Sequence, residues 1–211
     1  MKSLSIALCL IVATALAGCH TPTPAETANQ MAASLRTAAN ELEVTNSNID
    51  LTTQSLDTLL ADEGVMIANY DQYKKAMTRL ESNVNRVRSL RSSIRGRRTQ
   101  FTSSWTKGAE SITNEDLRAK MEERRDKASE EFTQVSAKAD ETQGLFDEFW
   151  KELVDLRQYY SYNLNSEGLK SSSDNVAKVK EQAGPVKTSI TELAKEVEEL
   201  AAAIEAAKPA N

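Results

Sequence analysis

The stretch that decides the fold is NEDLRAKMEERRDKASEEFTQVSAKADETQGLFDEFWKELVDLRQYYSYNLN, residues 114–165. It holds no Pro and one Gly, Gly144. Apolar residues recur at Leu117, Met121, Ala128, Phe132, Val135 and Ala139, then at Leu145/Phe146, Phe149, Leu153, Leu156, Tyr160 and Leu164. The steps mostly alternate three and four, a mean of about 3.5, the spacing of a seam in a left-handed helical coil. A helix this long, about 75 Å at 1.5 Å per residue, cannot bury its stripe against itself. It needs long partners.

The flanking sequence supplies them. Before Asp62 the same steps carry Met31, Leu35, Ala38, Leu42, Ile49 and Leu56. Thr45 and Thr52 are weak seam residues there, and Asn46 and Asn48 are poor helix formers, which predicts the loosest packing in the molecule. After the break at Asp62-Glu63-Gly64, a second helix runs through Tyr70, Tyr73, Met77, Leu80, Val84 and Val87 to Phe101 and Trp105, with Arg91 and Arg98 on seam positions. The last helix carries Leu169, Val176, Val179, Val186, Ile190, Leu193 and Val197, interrupted by Gly184-Pro185, where a kink or break near Gln182 is expected. Thr23-Pro24-Ala25-Glu26 and Thr113-Asn114-Glu115-Asp116 read as helix starts, and Asn163-Leu164-Asn165-Ser166 as a corner. The expectation is an all-α fold: an elongated antiparallel helical bundle over residues 24–208, of three to four long helices with heptad seams, thinning where lengths are unequal. No period of 20–50 residues recurs, so a solenoid is not supported.

The N-terminus differs in kind. Lys2 leads into an apolar run from Leu4 to Ala17, too short for a permanent membrane span, so residues 1–18 read as an export signal. Leu16-Ala17-Gly18-Cys19 resembles the lipobox of bacterial lipoproteins. That resemblance implies cleavage after Gly18 and lipid on Cys19, with residues 19–23 as a short tether. It also implies membrane anchoring through the N-terminal lipid, facing the periplasm. His20 rather than Asp after the Cys favours the outer membrane over the inner.

The chemistry left to the domain is sparse. Cys9 leaves with the signal and Cys19 carries lipid, so no thiol remains for a disulfide, a metal or a nucleophile. His20, the one His, sits in the tether. With no Gly-rich phosphate loop either, an enzyme lacks its parts, and beyond the covalent lipid no cofactor and no metal are expected. Removing Lys2 leaves 25 basic against 31 acidic side chains, a mildly acidic balance that argues against nucleic acid.

Three groups of residues are candidates for more than packing. An arginine-rich stripe, Lys74 to Arg98, either attracts an anionic surface or pairs with the acid-rich helix that follows it. An antiparallel register about a corner at 108–113 sets Arg98 opposite Met121–Arg125 and Arg91 opposite Glu130–Glu131. Arg91 and Arg98, with Arg124 and Arg125 at a similar level, would form a polar layer neutralised by Glu122, Glu123 or Glu131, or else an anion site. Phe146, Phe149, Trp150 and Tyr160 gather aromatic area that is either core or the lining of an apolar pocket.

From Tyr70 to Leu169 the chain resembles a family of long-helix bacterial lipoproteins defined only as a domain of unknown function. The residues that carry it are Tyr73-Lys74, Phe101-x-x-x-Trp105 followed by Leu117-Arg118, and Asn163-Leu164-Asn165-x-x-x-Leu169. The family has no assigned activity, so no functional residue is implied. The expected role is a non-enzymatic envelope lipoprotein, a structural spacer or protein-interaction element that contacts an envelope protein or another copy of itself. The alternative is a periplasmic binder or carrier of an apolar or lipid ligand between the helices.

Overall fold

The computed structural model describes residues 23–61 and 63–206. The proposed signal, Gly18, the lipid site at Cys19, most of the tether and the last two residues of the expected domain, 207–208, lie outside them. Among the described residues all regular structure is helical: α1 (Pro24–Ala61), a 3₁₀ turn (Glu63–Val65), α2 (Met66–Glu110), α3 (Glu115–Tyr162), α4 (Ser166–Ser171) and α5 (Ser173–Ala206). At 1.5 Å per residue the 48-residue α3 is about 72 Å long.

The caps form where local chemistry dictates. Thr23 Oγ1 accepts from the Glu26 backbone N–H at 3.2 Å and Glu26 Oε2 accepts from the Thr23 N–H at 2.7 Å, a reciprocal capping box with Pro24 at the first helical position. Asn114 caps α3 by accepting from the Leu117 N–H at 3.0 Å. Asn165 does the same for α4, accepting from the Gly168 N–H at 2.9 Å. Gly168 is obligatory there: a Cβ on it would lie 2.1 Å from the Asn163 carbonyl oxygen.

The four long helices form a ring in the order α1, α2, α3, α5, each antiparallel to its neighbours. Cross-links fix the registers. Lys187 pairs with Asp50 at 2.5 Å and Lys180 with Asp57 at 2.7 Å between α5 and α1, while Lys138 pairs with Glu192 and Lys178 with Glu152 between α3 and α5. Such exposed pairs contribute little stability individually, but they mark the alignment. Arg36 of α1 reaches Glu198 and Glu205, so the described end of α5 lies beside Arg36. Among the described residues α1, α2 and α3 continue beyond that point as three helices around Ala28, Phe101, Trp105 and Ala128.

Three expectations are corrected. First, α1 is not the loosest helix: it packs most extensively, against α2 and α5 together. Thr45 and Thr52 are buried because their hydroxyls are satisfied by the Glu41 and Asn48 carbonyls one turn back, and Thr45 also reaches Asn83. Asn46 donates to the Lys187 carbonyl and to Thr191, tying α1 to α5. Second, the break considered near Gln182 does not occur: α5 is one helix from Ser173 to Ala206 through Pro185, whose side chain is exposed and whose missing N–H costs the helix a single backbone bond. Third, α3 does not start level with the end of α2. Gly108 of α2 lies against Met121 of α3, so the first turn of α3, capped by the extended Asn114 (φ −77°, ψ 116°), reaches about one turn past the end of α2. This overshoot leaves Leu117, a predicted seam residue, 55% exposed, and shifts the register of α3 against α2.

Candidate functional site

Two aromatic clusters hold α2 and α3 apart. At one end Phe101 packs on Trp105 and Phe132, with ring centroids 5.1 and 6.3 Å away. At the other, Phe146 stacks on Trp150 at 6.1 Å and meets Phe149 edge-on at 6.2 Å, beside the buried Tyr70, Tyr73 and Tyr160. Between the clusters α3 turns small side chains inward: Val135, Ser136, Ala139 and Thr142. Facing them, α2 offers Val84, Val87 and Ile94 with Arg91 and Arg98 on the same stripe. Large side chains at both ends and small ones between leave a gap that close packing cannot fill. The seam residues Val84, Val87, Ile94, Val135 and Ala139 are consequently only half-buried. Of the four neighbouring pairs in the ring, α2 and α3 touch least.

The gap is a cavity of about 140 Å³, continued by a second of about 80 Å³ that shares Leu42, Val87, Arg91, Ala139 and Leu193 with it. Its floor is apolar: Leu35, Leu42, Leu193 and Val197 are all buried. Arg91, Arg95, Arg98 and Ser136, half-buried or exposed, form the rim, so the opening lies between α2 and α3.

The arginines on the rim are not equivalent. Arg88 pairs with Asp147 at 3.0 Å, and Arg91 with Asp140 at 2.5 Å and with Gln143 at 3.0 Å. The Arg91 hydrogen bond, helped by the charge of Arg95, holds the Asp140 carboxyl below the usual carboxylate range. Arg98 meets no carboxylate among the described residues: it donates to the Ser129 carbonyl at 3.1 Å and to the Ser129 and Thr133 hydroxyls, and lies 5.4 Å over the Phe132 ring. Arg95 makes no hydrogen bond or ion pair of its own there, acting on Asp140 through space.

The candidates therefore divide. Arg91 and Arg98 come together on the cavity rim, but opposite Asp140 and Ser129 rather than Glu130–Glu131 and Met121–Arg125, because of the overshoot of α3. Their neighbours are not Glu122, Glu123 or Glu131. Arg124 is exposed and Arg125 pairs along its own helix with Asp126 at 2.8 Å, so neither lines the cavity. Of the aromatic set, Phe146 lines the second cavity, Phe149 and Tyr160 are sealed in the core, and Trp150 is half-buried behind Phe146. Sequence reading missed Val135, Ser136 and Ala139. The signal was present as a fall in side-chain size between Phe132 and Phe146.

Among the described residues no three His, Cys, Asp or Glu side chains gather as metal ligands, and no helix is long and apolar enough to cross a membrane. Searches against protein-family models, curated proteins and solved structures give no match.

Proposed function

We propose that this chain is a non-enzymatic lipoprotein of a bacterial envelope, held by lipid on Cys19 and facing the periplasm from the outer membrane, where its bundle serves as a spacer or protein-interaction element. The observation that carries the reading is the capping box of Thr23 and Glu26, which starts α1 four residues beyond Cys19. A rod begun so close to an anchor is held against the bilayer and projects from it. The long-helix lipoprotein resemblance is of the same kind, and an envelope protein or a second copy is the expected partner.

The test is production of the full chain and of Cys19→Ser in a bacterial host supplied with labelled palmitate, followed by membrane separation on a density gradient. The reading expects label and outer-membrane recovery for the first, with neither for the second. Equal labelling of both, or a mature N-terminus other than Cys19 by mass spectrometry, sinks it.

A second reading, a binder of an apolar or lipid ligand between the helices, is favoured by the open apolar cavity between α2 and α3. It does not compete with the anchor, since a tethered bundle can also hold a ligand.

A further inference from the structure

We infer that the crevice between α2 and α3 takes a single-chain anionic amphiphile, with its alkyl chain along the cavity and its carboxylate head on Arg95 and Arg98. This rests on the second reading and names the ligand class for that site.

The chain fits the shape of the void. From Arg98 to Val84 the lined wall of α2 spans 14 residues, about 21 Å at 1.5 Å per residue. The larger chamber, about 140 Å³, is near the size of an engineered apolar cavity of about 150 Å³ that admits a benzene-sized molecule. Two joined chambers of small width suit one extended alkyl chain rather than a two-chain lipid or a broad ring system. Its contacts would be Val87, Ala139 and Leu193, which both chambers share.

The charge places the head. Four arginines, Arg88, Arg91, Arg95 and Arg98, run along the mouth, and Asp140 and Asp147 are the two carboxylates paired with them. Arg88 and Arg91 are those paired. Arg95 and Arg98 carry the surplus, at the end of the crevice beside Phe132. Arg98 donates to a carbonyl and two hydroxyls, all neutral acceptors, so its charge is not neutralised there, and a carboxylate would accept from the same guanidinium in a bidentate pair and supply the missing countercharge. With the head there, the tail points toward Phe146 and its neighbour Trp150.

Calorimetric titration of the full chain with dodecanoate, below its micelle concentration and with dodecanol as the neutral comparison, tests this. The expected result is one dodecanoate per chain, dodecanol bound about tenfold more weakly, and no preference left in the double variant R95Q/R98Q. Arg95 is exposed and Arg98 half-buried, and glutamine keeps most of each side chain's length, so the variant should fold, which its melting curve checks. Ala139→Phe should block both probes. Independently, 12-bromododecanoate should quench tryptophan emission, and Trp150→Phe should remove most of that quenching. Equal affinity for the acid and the alcohol, still blocked by Ala139→Phe, overturns the head assignment while the apolar site stands. Quenching that survives Trp150→Phe overturns the placement of the tail. Saturable binding of neither probe overturns both this inference and the second reading, leaving the anchored spacer untouched.

Discussion

Tyr73 on α2 donates its phenolic hydrogen to the Leu153 backbone carbonyl on α3 at 2.6 Å, with both residues fully buried. One turn away Tyr70 makes the parallel bond to the Arg157 carbonyl at 2.8 Å. These two bonds clamp α2 to α3 at the end far from the α2–α3 corner, just beyond the place where the helices part. The gap is thus a bounded opening between two fastened ends, not a general loosening of the pair.

Tyr73→Phe keeps the ring and removes the bond, and is expected to cost about 1 kcal/mol, lowering Tm by about 2–4 °C for a chain of this size. Burial, more than the neighbouring tyrosines, pushes the Tyr73 phenol above its usual value. A folded value above the unfolded one means the contribution is complete below about pH 10 and is lost as pH rises through the folded value. Urea melts should therefore show the wild type losing its margin over Tyr73→Phe above pH 10 and holding it below.

Thr45 and Asn83 form a small polar knot inside the α1–α2 seam. The Thr45 hydroxyl reaches Asn83 Oδ1 at 2.7 Å, and Asn83 Nδ2 donates to Glu41 Oε2 at 2.8 Å. Asn83→Ala strands buried polar atoms and should destabilise by about 1–3 kcal/mol. Combining Thr45→Val with Asn83→Leu should cost less than the two single changes added together, by about 0.5 kcal/mol or more. A strictly additive cycle in denaturant melts would refute the coupling.

The two glycines Gly168 and Gly144 should respond in opposite directions to alanine. At Gly168 the new Cβ meets the Asn163 carbonyl at 2.1 Å, and the rigid corner must move, with an expected loss of about 2–3 kcal/mol. At Gly144 nothing lies within 4 Å, so alanine should stabilise α3 by about 0.5–1 kcal/mol. Thermal melts of the two variants settle both signs.

Ala139→Leu places apolar atoms in the chamber of about 140 Å³ and should stabilise the fold by about 1 kcal/mol. A fall in Tm instead would mean that the chamber closes in solution and that the added side chain overpacks it.

Much of this architecture was legible before any tertiary contact was known. The 3.5-residue period gave the long helices, and the Thr-Pro-x-Glu and Asn114 caps gave the starts of α1 and α3, because both are satisfied within a turn or two of chain. The α1 prediction failed for an instructive reason. Thr45, Thr52 and Asn46 look weak when judged by propensity, yet each finds a carbonyl one turn back or a partner on α2 or α5. Arg91 and Arg98 were recognisable as anomalies on an apolar stripe, but their partners were not. A few residues of overshoot at the Asn114 corner move Asp140 and Ser129 into place where Glu130–Glu131 and Met121–Arg125 had been expected.

By itself the sequence determined which face of each long helix is apolar, where α1 and α3 begin, and that long partners must share one core. Those properties follow from periodicity and from backbone groups that are capped locally. It ran the last helix on from Leu169, where the structure has the separate α4 and starts α5 at Ser173. Only the tertiary structure decided how far α2 stands from α3 and which arginines lack a carboxylate. That spacing is set by the largest side chains at each end, Phe101, Trp105 and Phe132 against Phe146, Tyr70 and Tyr73. The small residues between them cannot pull two stiff helices together, so the opening and its unbalanced charge arise from the whole bundle and not from any one segment.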